Sequence, residues 1–128
     1  MKPLTKEWVK KAEGDFITAG REARARKLPN YDSACFHSQQ CVEKYLKARL
    51  QEASIAFSKT HDVEMLLTMW LSLEPLWAVH AKSAEVLNKF AVRFRYPGEN
   101  ATRNQAKDAV ARCKDIRSFV RQSLGLKV

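Results

Sequence analysis

The sequence predicts an all-α fold, an up-and-down bundle of four long helices plus one shorter helix. Residues 32–50 contain neither glycine nor proline and place their apolar side chains on one arc at helical spacing. A later segment opens with a capping box after residue 101 and carries a continuous apolar stripe. No linker, repeat or low-complexity tract divides the 128 residues, so we expect residues 1–128 to form a single helical domain.

The first helix is expected from Thr5 to about Arg26. Its apolar stripe consists of Trp8, Ala12, Phe16, Ala19 and Ala23. Asp15 lies at the border of this stripe, where a carboxylate needs a donor because an unpaired buried charge is costly. We expect it to pair with a basic residue of the next helix rather than to act in catalysis. The proline at position 29 then breaks the helix.

The second helix, expected from Asp32 to Leu50 with Asp32 as its N-cap, is predicted to lie centrally. Its broad apolar arc contains Ala34, Cys41, Val42, Tyr45, Leu46 and Ala48. An arc this wide suits a helix that several neighbours contact. The opposite face aligns His37, Gln40, Lys44 and Lys47 in one stripe. This polar stripe either lies in solvent or contacts a ligand.

A short third helix follows, capped by Ser58 or Thr60. His61 lies near its N-terminus, where we expect a hydrogen-bonded imidazole. The fourth helix is expected from about Leu76 to Phe90, with Pro75 in its first turn.

The segment 92–100 is the most unusual loop, because two arginines alternate with two aromatic residues before a Pro-Gly turn. Arginine forks bind phosphates through two hydrogen bonds, and an aromatic face can stack a base. Arg93, Arg95 and Tyr96 are therefore candidate ligand contacts. Alternatively, Phe94 and Tyr96 anchor the loop to the core while both arginines pair with carboxylates of the bundle.

The fifth helix begins with the capping box Thr102-x-x-Gln105 and ends at Gly125. Its apolar face consists of Ala106, Ala109, Val110, Cys113, Ile116, Val120 and Leu124. The side expected to be exposed carries Arg103, Lys107, Lys114 and Arg121.

The positive charge is concentrated at the two ends of the chain. Net charge is +4 over residues 1–27, zero over 28–102 and +5 over 103–128. Such segments favour anionic partners or simply confer solubility, and whether they form one patch depends on packing. Without a signal-peptide core or a run of about eighteen apolar residues, we expect a cytoplasmic protein that does not span a membrane.

The cysteines, Cys35, Cys41 and Cys113, form no C-x-x-C pair and are expected to be reduced core thiols. Zinc-ligand spacing is absent, so we expect neither a metal nor a cofactor.

Four pieces of the sequence together resemble the HEPN family (higher eukaryotes and prokaryotes nucleotide-binding). The central piece is Cys-Phe-His-Ser-Gln-Gln-Cys-Val-Glu-Lys-Tyr-Leu-Lys-Ala at residues 35–48. The others are Trp8-x3-Ala12-x2-Asp15-Phe16, Thr60-His61-Asp62 and Arg95-Tyr96-Pro97. They occur in the family's order and spacing, and the resemblance spans roughly residues 8–124.

This resemblance implies a dimeric helical bundle associated with nucleotides or RNA. Many bacterial HEPN proteins act with a minimal nucleotidyltransferase as a toxin–antitoxin pair. The ribonuclease branch carries Arg-x4-6-His at the start of a late helix, and this chain departs from it. No histidine follows an arginine at that spacing, and Asp108 occupies the first possible position after Arg103. Without that imidazole, RNA cleavage lacks its usual proton carrier.

Three functions remain open. The first is a non-catalytic HEPN module that pairs with a minimal nucleotidyltransferase, forms a homodimer and binds nucleotide or RNA. The second is a divergent ribonuclease that uses the Arg93–Arg95 segment with His37 or His61. The third is a structural dimer that docks an acidic protein. The candidate binding residues are Arg93, Arg95, Tyr96, His37, Lys44, Lys47 and His61.

Overall fold

The computed structural model describes all of residues 1–128 and contains five α-helices and no strands. The helices are α1 (Pro3–Arg24), α2 (Tyr31–Glu52), α3 (Val63–Leu71), α4 (Ala81–Arg93) and α5 (Arg103–Ser123). A 3₁₀ segment, Pro75–His80, leads into α4. The predicted bundle of four long helices and one shorter helix is confirmed.

Hydrogen bonds between distant residues define how the helices run. The Lys2 amide donates to Glu52 Oε1 at 3.0 Å, so α1 begins beside the end of α2 and the two are antiparallel. Asp32 Oδ1 accepts from the Ala101 amide at 2.7 Å, and Arg49 Nε donates to Ser123 Oγ at 2.7 Å. Helix α5 therefore runs in the same direction as α2, and α1 lies antiparallel to both.

Helix α2 is the central element, as the sequence predicts, because α1, α3, α4 and α5 all pack against it. Every residue of its predicted apolar arc is buried, and the three cysteines are buried and free. Full burial of one large aliphatic side chain contributes roughly 1.5–3 kcal/mol to folding. The packing of α2 therefore contributes strongly to stability and fixes the positions of the polar residues on its other face.

The predicted cap of α2 is wrong by two residues. Asn30, rather than Asp32, caps the helix by accepting from the Ser33 amide at 2.9 Å. Asp32 instead lies in the first turn, where the helix dipole favours a carboxylate. There it bonds Ala101 and ties the start of α5 to the start of α2.

The cap of α3 is also different from the prediction, because Asp62 performs this role instead of Ser58 or Thr60. Its Oδ1 accepts from the amides of Glu64 and Met65 at 3.0 and 3.1 Å. Asn88 of α4 donates to the same oxygen at 2.8 Å, which joins α4 to the start of α3.

The fourth helix begins later and ends later than predicted. Pro75 lies at the start of the 3₁₀ segment, and α4 proper extends from Ala81 to Arg93. The capping box of Thr102 and Gln105 is confirmed, with both reciprocal hydrogen bonds present. Gly125 follows α5 with φ of +75°, a left-handed conformation that glycine adopts without steric cost. None of these helices is long and apolar enough to cross a lipid bilayer.

Candidate functional site

Asp15 binds two residues of the predicted polar stripe. His37 Nδ1 lies 2.7 Å from Asp15 Oδ1, and Lys44 Nζ donates to Asp15 Oδ2 at 2.6 Å. This is the interhelical ion pair that the sequence predicts for a carboxylate at the edge of the core. Both carboxylate oxygens have partners, so His37 and Lys44 hold α1 against α2.

Glu43 forms the centre of a second buried cluster. Only 3% of its side chain is exposed, and it accepts from Lys47 Nζ at 3.1 Å. His61 Nδ1 lies 2.8 Å from the other oxygen. Lys47 is itself buried, and its ammonium lies 5.3 Å from the centre of the Trp8 ring. Lys47 is therefore held inside the bundle rather than presented to a ligand.

Arg95 is positioned by the buried end of α4. Phe94 caps that helix, is almost fully buried and packs on Phe90 with ring centres 5.5 Å apart. The chain then turns through Gly98, whose φ is +98°. Arg95 is exposed beside this anchor and has no carboxylate partner.

Two shallow grooves flank Arg95. The first, which we name the Arg95–His61 groove, has a volume of about 360 Å³ and is also lined by Gln39, Gln40, Asn88 and Asp62, whose Oδ1 already accepts from the start of α3 and from Asn88. The second, of about 340 Å³, is lined by the start of α2 and by Phe36, Phe90 and Phe94. Arg95 thus lies between a polar groove and a partly aromatic one.

The Arg95–His61 groove has chemistry that suits a phosphorylated ligand. Arg95 supplies a guanidinium, Gln40 an amide and His61 an imidazole. The His61 side chain is 83% exposed, and Glu43 fixes it through Nδ1, which leaves Nε2 directed away from the carboxylate. The guanidinium donates to phosphate oxygens. The Gln40 amide already donates to Gln39 and Glu43. With Nδ1–H directed at Glu43, the Nε2 of a neutral His61 accepts, for example from a donor on the edge of a base.

The other two residues of the loop behave differently from Arg95. Arg93 Nε donates to Glu99 Oε2 at 2.6 Å, so its partner is a loop carboxylate rather than a carboxylate of the bundle. Tyr96 is 64% exposed. Of the two aromatic residues expected to anchor the loop, Phe94 does so and Tyr96 does not. The exposed Tyr96 ring is free to stack on a ligand.

The structure brings together only part of the predicted site. Arg95 and His61 share a groove, whereas His37, Lys44 and Lys47 line neither groove beside Arg95. Lys44 lines a separate surface groove of about 750 Å³, together with Trp8, Lys10 and Lys11 of α1 and other residues. The loop and the central stripe are thus distinct surfaces.

A third polar cluster, centred on Glu13, has no counterpart in the sequence-based predictions. Glu13 accepts from Arg117 Nε and Nη2 at 2.7 Å each and from the Tyr45 hydroxyl. Arg121 Nη1 donates to Tyr45 Oη at 3.0 Å, so the expectation that Arg121 lies on the exposed side is wrong. Helical periodicity predicts the face of α5 on which Arg121 lies. It does not predict the hydrogen bond of Arg121 to the Tyr45 hydroxyl of another helix.

The surroundings of Glu13 change the pKa of two groups. Burial alone would raise the pKa of Glu13, but the hydrogen bonds and charges of Arg117, with Tyr45 and Arg121, lower it. The pKa of Tyr45 is raised, first by burial and then by its bond to the Glu13 carboxylate. Both shifts favour an ionised Glu13 carboxylate and a protonated Tyr45 hydroxyl. Since these are the states that form the observed hydrogen bonds, the cluster has a structural role.

His80 is the remaining histidine and does not belong to a polar site. It is buried with its ring centre 4.3 Å from that of Phe119 and close to Trp77. Burial lowers its pKa. His80 therefore acts as an uncharged core residue at neutral pH.

Comparison with known families agrees with this architecture. The sequence model of the HEPN domain family matches residues 5–123, which is nearly the whole chain. The protein belongs to the HEPN family. No curated protein matches the sequence.

Two solved structures share the HEPN fold of this chain. The archaeal HEPN homologue ST0689 is 28% identical, with a TM-score of 0.77 over 97% of this chain and 99% of that chain. The protein TT1696 from Thermus thermophilus is 23% identical, with a TM-score of 0.78 over 92% of this chain and 96% of that chain. The second similarity supports the fold alone.

This HEPN domain lacks the histidine of the ribonuclease motif on α5. Arg103 begins the helix, but residues 103–123 contain no histidine. Asp108 instead accepts from Arg112 Nε at 3.0 Å. Helix α5 itself therefore supplies no imidazole for general acid–base chemistry.

Proposed function

We propose that this HEPN domain is a non-catalytic module that pairs with a minimal nucleotidyltransferase and binds nucleotide or RNA in the Arg95–His61 groove. The proposal of a partner enzyme follows from the family resemblance and from the absence of the ribonuclease motif on α5. The proposal of a ligand site rests on the local geometry of Arg95.

One observation carries the ligand proposal: Arg95 is exposed and unpaired, whereas Arg93, two residues earlier, is paired with Glu99. An unpaired guanidinium can bind a phosphate without first losing an ion pair. Tyr96 lines neither groove but is exposed on the same loop, next to Arg95, and offers a face on which a base can stack.

The direct test is binding of labelled single-stranded RNA and of ATP by the full chain carrying Arg95→Gln. Loss of a charge-assisted contact worth about 1.5–3 kcal/mol weakens binding by roughly ten- to a hundred-fold. Arg93→Gln is the matched control, because it removes the same charge from an arginine that already has a partner. Equal affinities of the Arg95→Gln protein and the wild type would rule out this groove.

The partner proposal has its own test. Co-purification of the tagged full chain from its native lysate, read by mass spectrometry, is expected to recover a minimal nucleotidyltransferase. If the chain emerges with other proteins only, the pairing is wrong, whatever the result for the Arg95–His61 groove.

A divergent ribonuclease is the second candidate, favoured by the exposed His61 that Glu43 orients in the same groove as Arg95. An oriented imidazole can transfer protons, and a guanidinium can stabilise a charged phosphate in the transition state. Incubation of labelled RNA with purified protein separates the two functions. Cleavage that disappears in His61→Gln would favour the enzyme, and intact RNA bound at equilibrium would favour the module.

A further inference from the structure

The two basic end segments of the chain meet in space. Helices α1 and α5 run antiparallel, with Glu13 of α1 bound to Arg117 of α5. The last turn of α1 therefore lies beside the first turn of α5, and the basic residues at the end of the first segment meet those at the start of the last one.

A groove of about 740 Å³ lies where they meet. Arg24 and Arg26 line it from the end of α1, and Arg103 and Lys107 line it from the start of α5. Small and apolar residues, with the half-buried Tyr31, form the rest of its surface. We name this the α1–α5 groove.

All four cations of the α1–α5 groove are exposed and lack a carboxylate partner. None of them takes part in any ion pair of the molecule. No acidic residue lines the groove either. In contrast, Arg93, Arg112, Arg117 and Arg121 all have an acidic partner.

The helix dipoles explain only one of the four cations, Arg24. Arg24 lies in the last turn of its helix, where the dipole favours positive charge. Arg103 and Lys107 lie at the opposite kind of terminus, where the dipole disfavours positive charge, and the first turn of α5 has no acidic residue. Their position costs stability in the free protein, and a bound anion would relieve that cost.

Gly20 allows one of these cations to lie close to the helix. A Cβ added at Gly20 would lie 2.8 Å from Arg24 Nη1, so any larger residue forces this guanidinium to move. Gly20 is buried within α1, where alanine is the better helix former. Glycine here thus leaves room for the Arg24 guanidinium to lie against α1.

We infer that the α1–α5 groove is a second anion site that binds consecutive phosphates, as found in a nucleoside triphosphate or in single-stranded nucleic acid. Two guanidinium groups on one wall face a guanidinium and an ammonium on the other, which matches more than one phosphate. The site differs from the Arg95–His61 groove in every lining residue. Its function does not depend on Arg95.

The test measures binding of a fluorescein-labelled single-stranded RNA of about 12 nucleotides, a length within the usual range for such sites. The test variant is Arg103→Gln with Lys107→Gln. Lys59→Gln with Lys114→Gln is the matched control, since it removes two exposed, unpaired charges from outside the groove. Thermal melting accompanies each measurement, and the test variant is expected to melt at the wild-type temperature or above it because two cations leave the positive end of a helix.

The expected result is a loss of affinity of about ten-fold or more in the test variant. The salt dependence should become shallower by about 1.4 in logarithmic slope, as two contacts with a single strand are lost at about 0.7 each. The control variant should keep most of its affinity, and its salt dependence should stay steeper than that of the test variant.

Competition by ATP identifies the source of the phosphates. Displacement of the RNA by ATP in the wild type and in Arg95→Gln assigns the groove to a polyphosphate, whereas RNA binding that resists ATP assigns it to a nucleic-acid backbone. Equal weakening in the test and control variants would overturn the proposal, since any basic surface would then suffice. Absence of RNA and ATP binding at about 50 mM salt would overturn it as well.

Discussion

Arg117 binds Glu13 through two hydrogen bonds of 2.7 Å that join α5 to α1 across 104 positions of sequence. Tyr45 of α2 donates to the same carboxylate, so one group links three helices. Arginine can form this planar, two-pronged contact with a carboxylate, whereas lysine cannot. It fixes the relative positions of α1 and α5, on which the α1–α5 groove depends.

Arg117→Ala is expected to lower the free energy of unfolding by about 1.5–3 kcal/mol, because Glu13 loses a charge-assisted pair and remains half-buried. Urea denaturation measures this change, with Lys114→Ala as a control on the exposed side of the same helix. A denaturation midpoint of Arg117→Ala equal to that of the control would mean that solvent compensates the lost bonds.

Acid should destabilise the protein through the same carboxylate. Burial acts to raise the pKa of Glu13, but the hydrogen bonds and charges of Arg117 and its neighbours outweigh burial and hold the folded-state pKa below the ordinary value of 4.5. The folded state therefore binds fewer protons than the unfolded state, and Glu13 contributes stability that is present above pH 4.5 and is lost as pH falls through the folded pKa.

The measurement compares unfolding of the wild type and Glu13→Gln as pH is lowered from neutrality. Glu13→Gln should be less stable at neutral pH and should lose less stability on acidification. Parallel curves for the two proteins would assign the acid sensitivity to other carboxylates.

The buried apolar arc of α2 was predictable because the helical period alone places those residues together, whereas the burial of Lys47 on the opposite face was not. The pairing of Asp15 with the central helix was predictable because a carboxylate at the edge of a core needs a donor. In contrast, Asn30 and Asp32 can both cap a helix, and local sequence does not decide between them.

The candidate site was only partly predictable for a different reason. Sequence identified Arg95 and His61 separately, but their common groove depends on where α4 ends and on the capping of α3 by Asp62. Arg24 and Arg103 come together because α1 and α5 pack antiparallel. The distribution of charge along the chain does not show how the helices pack.

Val42→Asp is expected to prevent folding. Val42 is 0% exposed at the centre of α2, and burying an unpaired charge costs several kcal/mol against a total stability of about 5–15 kcal/mol. Circular dichroism and thermal melting report the result. Ile17→Asp, on the exposed face of α1, is the control and should melt near the wild-type temperature. A cooperative, wild-type melt of Val42→Asp would show that the core is misassigned.

A homodimer is the last expectation, and the 3₁₀ segment offers a surface for it. Leu73, Leu76 and Val79 are all exposed within seven positions of sequence, with Leu76 85% exposed. Grouped apolar residues on a surface mark interaction sites more often than isolated ones do. We therefore expect sedimentation at micromolar concentration to show twice the chain mass of 14.7 kDa.

Leu76→Glu with Val79→Glu should convert this species to a monomer, because two carboxylates would be desolvated at the interface. Leu4→Glu with Ile17→Glu is the matched control, since these exposed apolar residues lie on α1. A wild-type protein that sediments only at the chain mass would rule out the dimer. If the control pair dissociates the dimer and the 3₁₀ pair does not, the two chains meet through α1 instead, and the exposed leucines are left for a different partner.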